Sequence, residues 1–410
     1  MDIDEKLAEL YKSKAFSRRA KKHVRGRQHF LDIVVPPQWI DVCQGEVEAL
    51  GYGCEKVEYS ILRVTGRIWD GYILALNLRT ASRVGITIPE FRAPSKVALI
   101  KKLQSIPWEL WINPKHPIWI YSNVEHSSVR HEGFVSDALF DAVKRCFEKF
   151  GFSVKKSDSA FNEKREIEYP RQRLWINLKS NVCLIRIDMV GAHLHQRGYR
   201  KFPGKAPMLE TLVAAIADLA GWQGNEPLVD GMTGSGTFAI EAAMKSRKIP
   251  PGIFRTFLFE TWPSFQKKRW DYIKKQTWKE VSDEPSVPLI AVERNVDVLN
   301  MAKENASVAG VSENIQWIHG DFFEFSPADF GTPHGLLFLN PPYGKRISTE
   351  VAKLYNRIDK HIRKAYSGWK VAIVFPQKNL ISKFTSVEIT KIRRFPHGGL
   401  WIYVVVGRAR

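Results

Sequence analysis

Cysteine is scarce in this chain. Only Cys43, Cys54, Cys146 and Cys183 occur, and no two of them stand in a Cys-x-x-Cys pair. That spacing argues against a zinc ribbon and a disulfide scaffold, so free thiols in a reducing compartment are expected. Long apolar runs are missing too. No segment approaches the roughly 18 uninterrupted apolar residues of a membrane-spanning helix. The opening Met-Asp-Ile-Asp-Glu has no apolar core of the kind a signal peptide carries. A soluble cytoplasmic protein with no membrane partner is the expectation. Acid is in deficit as well: 43 Asp and Glu against 62 Lys and Arg leave a net charge of +19, the footprint of a polyanion binder.

The excess is not confined to a tail. Eight basic residues and no acidic one lie between Lys12 and Arg27, yet residues 28–410 alone retain +14. A folded body that is itself basic points to nucleic acid more than to a solvated charge run. At 410 residues the chain exceeds a single ordinary core, so two or three domains are expected.

Residues 1–29 read as a basic extension outside any packed core. From Phe30 the pattern changes: Phe30 to Val35 reads as a strand, Gln38 to Leu50 as a helix, and Tyr59 to Val64 and Tyr72 to Leu78 as further strands. Ser136 and Asp137 are expected to cap a helix whose apolar stripe runs from Leu139 to Phe150. Cys183, Ile185, Ile187 and Met189 alternate with polar or outward positions in a period-two strand. The first half is therefore α+β. His193 and His195 lack the further ligands a metal site needs, and no metal is expected.

The stretch Phe202 to Pro207 marks a linker, after which fully apolar short strands alternate with helices: Leu228-Val229, Leu289 to Val292, Leu336 to Leu339 and Val371 to Phe375. Strands apolar on both faces belong to a parallel sheet covered by helices, so the second half is α/β. Its first strand runs into Asp230-Gly231-Met232-Thr233-Gly234-Ser235-Gly236-Thr237, a glycine turn that lets backbone approach a ligand. A dinucleotide site would place its ribose acid about 20 residues later. Here the next acid at a strand end is Glu293, followed by Asp321 with Phe322 beside it. That order suits S-adenosylmethionine. Asp230 and the turn (Gly231, Gly234, Gly236, Thr237) would face its methionine part, Glu293 its ribose and Asp321 its adenine.

The fourth strand ends in Asn340-Pro341-Pro342-Tyr343. An Asn oxygen and the Pro341 carbonyl can accept the two hydrogens of an exocyclic amine while Tyr343 stacks on an extruded base. Nucleic acid, protein and a plain Pro-Pro loop all remain open on these four residues.

Taken together, the chain resembles the THUMP-containing RNA guanine-N2 methyltransferases, in the bacterial 23S rRNA branch. The stretches that carry the resemblance are Asn77-Leu78-Arg79-Thr80-Ala81-Ser82-Arg83-Val84, Arg197-Gly198-Tyr199-Arg200, Lys205 to Leu212, Gly234-Ser235-Gly236-Thr237, Phe259-Glu260-x-Trp262 and Asn340-Pro341-Pro342-Tyr343-Gly344. The resemblance implies a ferredoxin-like domain (30–75) and a THUMP RNA-binding domain (76–190), with interleaving of the two left open. A linker (191–206) and a Rossmann-like class I methyltransferase domain (207–410) would follow. It further implies that Asn340, Pro341 and Tyr343 hold a guanine of structured RNA, with 23S rRNA the first expectation and tRNA the nearest rival. DNA adenine methylation, protein methylation and a non-catalytic assembly factor are the remaining alternatives. Two departures are visible: Asp230-Gly231-Met232-Thr233 stands where relatives commonly have Asp-Pro-Met-Cys, and the basic extension before Phe30 lies outside the family core.

Overall fold

The computed structural model describes residues 3–157, 171–202, 207–342 and 348–410. Two seven-stranded sheets organise them. The first contains β1 (His29–Val34), β2 (Glu55–Glu58), β3 (Ile61–Gly66), β4 (Arg83–Arg92), β5 (Ile118–Glu125), β6 (Gln172–Lys179) and β7 (Val182–Asp188). Their order is β2-β3-β1-β4-β7-β6-β5, antiparallel at every pairing except β5 with β6. Register separates the faces cleanly. Leu31 stands opposite Ile86, Ile86 opposite Ile187, and Ile187 opposite Leu174, a row of fully buried side chains.

The other face centres on Asp32. Its buried carboxylate accepts from Arg63 Nε at 2.7 Å, Arg186 Nε at 2.6 Å and Thr87 Oγ1 at 2.7 Å. Burial would push this carboxyl up, but the hydrogen bonds from Arg63, Arg186 and Thr87 outweigh it and hold the group below its ordinary range. Strands β3, β1, β4 and β7 are thereby tied through one acid.

Three expectations fail here. Tyr72 to Leu78 is not a strand but part of a helix, Ile68–Asn77. Asp70 accepts from the Arg67 N–H at 2.6 Å and closes its first turn, and Gly71 lets it lie against Leu31 and Met189. The boundary drawn at 75/76 falls inside this helix, and the segments on either side of it share one sheet. The helix expected to be capped by Ser136 and Asp137 starts a turn earlier, spanning Glu132–Glu148.

The third concerns the basic extension, which is packed rather than free. Helices Ile3–Lys12 and Lys14–Ala20 and a π-turn Lys21–Arg25 bury Leu7, Phe16, Ala20 and Val24. The last three recur every fourth residue, so they form one apolar face while Lys14, Arg18, Lys21 and Lys22 face water. Arg19 pairs with buried Glu109 at 2.7 Å.

The second sheet contains β8 (Leu228–Asp230), β9 (Leu289–Glu293), β10 (Gln316–His319), β11 (Leu336–Leu339), β12 (Lys370–Phe375), β13 (Val387–His397) and β14 (Leu400–Ala409). The order is β10-β9-β8-β11-β12-β14-β13, parallel from β10 to β12, with β14 antiparallel to both neighbours. The chain winds outward from β8 to β10, then crosses back to β11. The switch point, where open α/β sheets bind ligands, therefore lies between β8 and β11. Among the described residues no helix is long and apolar enough to cross a membrane.

The packing of the extension is testable. Phe16→Ala should lower stability to urea by about 3–5 kcal/mol, the scale of emptying a buried aromatic site. Charge reversal at exposed Lys14, Arg18 and Lys22 should stay within about 0.5 kcal/mol per site. Equal effects would mean that the apolar face is not packed.

Candidate functional site

Asp230 is the last residue of β8 and sits level with Phe338 of β11 and Ala291 of β9. Three consecutive strands thus bring their carboxyl ends together. The turn that follows is held by backbone: the Gly231 N–H donates to Phe338 O, Thr233 N–H to Val292 O and Gly236 N–H to Thr233 O. Gly234 and Gly236 have φ of +54° and +84°, conformations that favour glycine. At Gly231 the constraint is space, since a Cβ there would come within 2.5 Å of Phe322 and 2.7 Å of Leu339. Gly236 then starts the helix Thr237–Ser246.

The carboxylates divide into different environments. Asp230 is buried, takes a hydrogen bond from Thr233 Oγ1 at 2.6 Å and leaves Oδ1 without a partner. Burial pushes its carboxyl up to about 7 against the pull of Thr233, with Glu293 adding to the rise. Glu293 ends β9 and accepts from the Gly234 N–H at 3.1 Å and the Asn295 N–H at 3.0 Å, so it braces the glycine turn. Asp321, just past β10, caps the short turn Phe322–Glu324 and pairs with Arg357 at 3.4 Å. Phe322 is buried against Phe323, His361 and Tyr366.

Two cavities meet at this edge. The smaller, about 240 Å³, is lined by Gly231, Gly234, Glu293, Asp321, Phe322, Phe323, Asn340, Pro342 and Arg357, among others. The larger, about 620 Å³, is lined by Asp230, Thr233, Gly234, Thr237, Phe338 and Asn340 together with Phe202, Pro207 and Met208. Asn340 borders both, and its side-chain Oδ1 is buried without a partner. Pro341 beside it is buried. Tyr343 lies outside the described residues.

The expected acids, glycines and Asn340 are therefore gathered at one edge. The unpartnered Asp230 oxygen calls for a cation or donor, the open space beside Gly234 leaves a cradle, and Phe322 with Phe323 offers aromatic walls. That donor set fits a ligand with an ammonium group, a diol and a flat heterocycle.

Sequence reading missed how the linker is held against the turn. Asn305, buried on the helix Val296–Val308, accepts from the N–H groups of Lys201 and Phe202 and donates to Phe202 O and Ser235 O. Arg200 donates to Glu210 at 2.8 Å, to Met208 O at 3.0 Å and to Thr237 Oγ1 at 3.0 Å. The helix pattern around Asn305 gave no sign of this, because a buried Asn reads as a surface position. His193 and His195 stack on each other at 5.4 Å. Burial, helped by Arg83 for the first and Arg197 for the second, pushes them down to about 3 and about 4, so both stay neutral. Among the described residues no group of three His, Cys, Asp or Glu is placed to hold a metal ion.

Residues 197–401 match the family model described as RMKL-like, methyltransferase domain. The ribosomal RNA large subunit methyltransferase K/L of Psychromonas ingrahamii is 31% identical over 350 residues, 82% of this chain and 45% of that protein. The chain spans about half the length of the curated K/L relatives it matches. YpsC of Bacillus subtilis is 31% identical over 89% of this chain and 92% of its own. The crystal structure of SMU.472 complexed with S-adenosylhomocysteine superposes with a TM-score of 0.78 at 23% identity, over 94% of this chain and 99% of that one.

Proposed function

The chain belongs to the RMKL-like methyltransferase domain family, and from that premise we propose that it methylates the exocyclic N2 amine of a guanine in 23S rRNA. The second sheet has the Rossmann-like fold of S-adenosylmethionine-dependent methyltransferases, and S-adenosylmethionine is the cofactor. The observation that carries the reading is Asn340. It presents a buried, unpartnered acceptor at the switch point, on the wall shared by two cavities. RNA as substrate is supported by the basic body and by the ribosomal RNA in the names of the K/L relatives. Guanine rests on the sequence resemblance.

In this reading the residues divide the work. Asp230 holds the cofactor's ammonium group, Glu293 takes the ribose hydroxyls, and Asp321 accepts from the adenine amine with Phe322 beside the ring. Gly234 leaves room for the ligand, Gly231 and Gly236 let the turn pack against Phe322 and Ala302, and Thr237 closes the turn. The cofactor supplies an electrophilic methyl group that is already activated by its sulfonium. The protein therefore needs to position and polarise the amine more than to provide a strong base. Asn340 Oδ1 and the Pro341 carbonyl accept the amine's two hydrogens and draw its lone pair out of conjugation, and Tyr343 is assigned to the face of the base. The proton released after attack leaves to solvent. The first sheet, which the resemblance reads as ferredoxin-like and THUMP units, is assigned to gripping structured RNA.

Nucleoside mass spectrometry of 23S rRNA and tRNA from cells lacking the protein tests the substrate. An N2-methylguanosine should vanish from 23S rRNA; its loss from tRNA alone would move the assignment there. Asn340→Ala should cut turnover at least about 100-fold, the scale of losing an essential polarising contact, with cofactor affinity nearly unchanged. Near-normal turnover would remove Asn340 from this role.

Asp230 makes cofactor binding depend on pH. With a carboxyl at about 7, it is mostly neutral at pH 6 and ionised at pH 8, and only the ionised form attracts an ammonium group. Affinity measured by calorimetry should fall about tenfold from pH 8 to pH 6, one pKa unit's worth. Asp230→Asn should flatten that dependence. A flat profile in the native protein would mean that Asp230 does not face the ammonium.

A further inference from the structure

Strand register places a second feature near the target base. Leu339 of β11 pairs with Ile373 of β12, and Ile373 with Val405 of β14. Asn340 is therefore level with Val374 and Val404. Strand β14 runs antiparallel, so its first residues lie past the carboxyl edge of the sheet: Tyr403 pairs with Phe375, the last residue of β12, and Trp401 lies two residues further out. Two strand spacings sideways and three residues along the strand put Trp401 on the order of 15 Å from Asn340.

The hairpin that carries it closes through a two-residue turn. His397 pairs with Leu400 across Gly398 and Gly399, whose φ values of +56° and +79° suit the two-residue turn that both positions of a tight hairpin require. Its two faces differ. Phe395 meets Trp39 at 5.6 Å and Arg393 pairs with Asp41 at 2.6 Å, anchoring one face to the first half of the chain. On the other face Tyr403 and Val405 join the core formed with Tyr355 and Phe375. By alternation Trp401 is on that second face, the side of the helix Ser348–Ala365, which also supplies Arg357 to the smaller cavity. Among the described residues Trp401 is left 46% exposed and neighbouring Leu400 55%. Arg394, directly across from Tyr403, sits 4.2 Å over the Trp401 ring.

We propose that this hairpin is a finger that stacks on an unpaired RNA nucleotide flanking the target base, with Trp401 as the stacking surface and Arg394 as the cation beside it. The proposal rests on the RNA reading above. An exposed indole paired with a guanidinium is the combination that binds single-stranded nucleic acid by stacking and charge together. A second copy of the chain is a poorer occupant. From Thr390 to Trp401 the hairpin holds Lys391, Arg393 and Arg394 and no acid, so two such edges repel.

Steady-state methylation of an rRNA fragment by the full chain tests it. Trp401→Ala should raise KM for RNA about tenfold, within the range measured for one base–aromatic stack, while kcat and cofactor affinity stay within about twofold. Trp401→Phe should recover most of the loss. Arg394→Ala should raise KM and flatten its salt dependence. An unchanged KM in Trp401→Ala, or a change in oligomeric state by sedimentation that accounts for the loss, would overturn the proposal. Fluorescence anisotropy with an unstructured oligoribonucleotide gives the same comparison without catalysis. Binding that depends on Trp401 in a protein that methylates no RNA would sink the catalytic reading and leave the finger standing.

Discussion

Glu241 is the joint on which both halves of the molecule depend. It is buried on the helix Thr237–Ser246, where Arg197 Nε reaches it at 3.3 Å, Tyr199 Oη at 3.2 Å and Arg79 at 3.8 Å. Arg79 comes from the loop before β4, so a carboxylate on the helix that follows β8 collects cations from the first sheet's border. The same Arg79 donates to the carbonyls of Met244 and Ile249, and its own carbonyl accepts from Arg197. Removing one partner from a buried charge cluster of this kind typically costs 3–5 kcal/mol, because the remaining charge stays buried. The helix so anchored is the one whose first residue closes the glycine turn. The ligand-binding edge and the union of the two halves therefore share one element.

The chain between that helix and β9 reinforces the union. Gly252 N–H donates to Leu76 O, and Phe259 N–H to Met189 O. Phe259 stacks on Tyr72 at 4.2 Å, and Arg255 donates to the carbonyls of Val190, Ala192 and His193. A segment that spends its hydrogen bonds on the other half of the molecule needs length, and this accounts for the long separation between the glycine turn and Glu293.

Much of the site was legible because its constraints are local. Gly234 and Gly236 stand where φ is positive, and the apolar strands before Asp230, Glu293 and Asn340 end where the sheet ends. What escaped notice depends on tertiary partners. Tyr72 to Leu78 is apolar except at Asn77, and a short run of that kind carries no period to separate strand from helix; Asp70 and the contact with Leu31 decide it. The face made by Phe16, Ala20 and Val24 was hidden under eight positive charges. Arg79 and Arg197 were visible as motif residues, but their partner Glu241 lies 162 and 44 positions away, beyond any pattern read along the chain.

The stacking of Phe259 on Tyr72, with the hydrogen bonds around it, removes a hinge from the place where two halves of a protein usually have one. For an enzyme that grips RNA with one half and modifies it with the other, a stiff connection acts as a gauge. Under the function proposed above, the nucleotide presented at Asn340 would be chosen by its distance and angle from the gripped element, and neighbouring bases of the same kind would be passed over because they sit at the wrong place along that span.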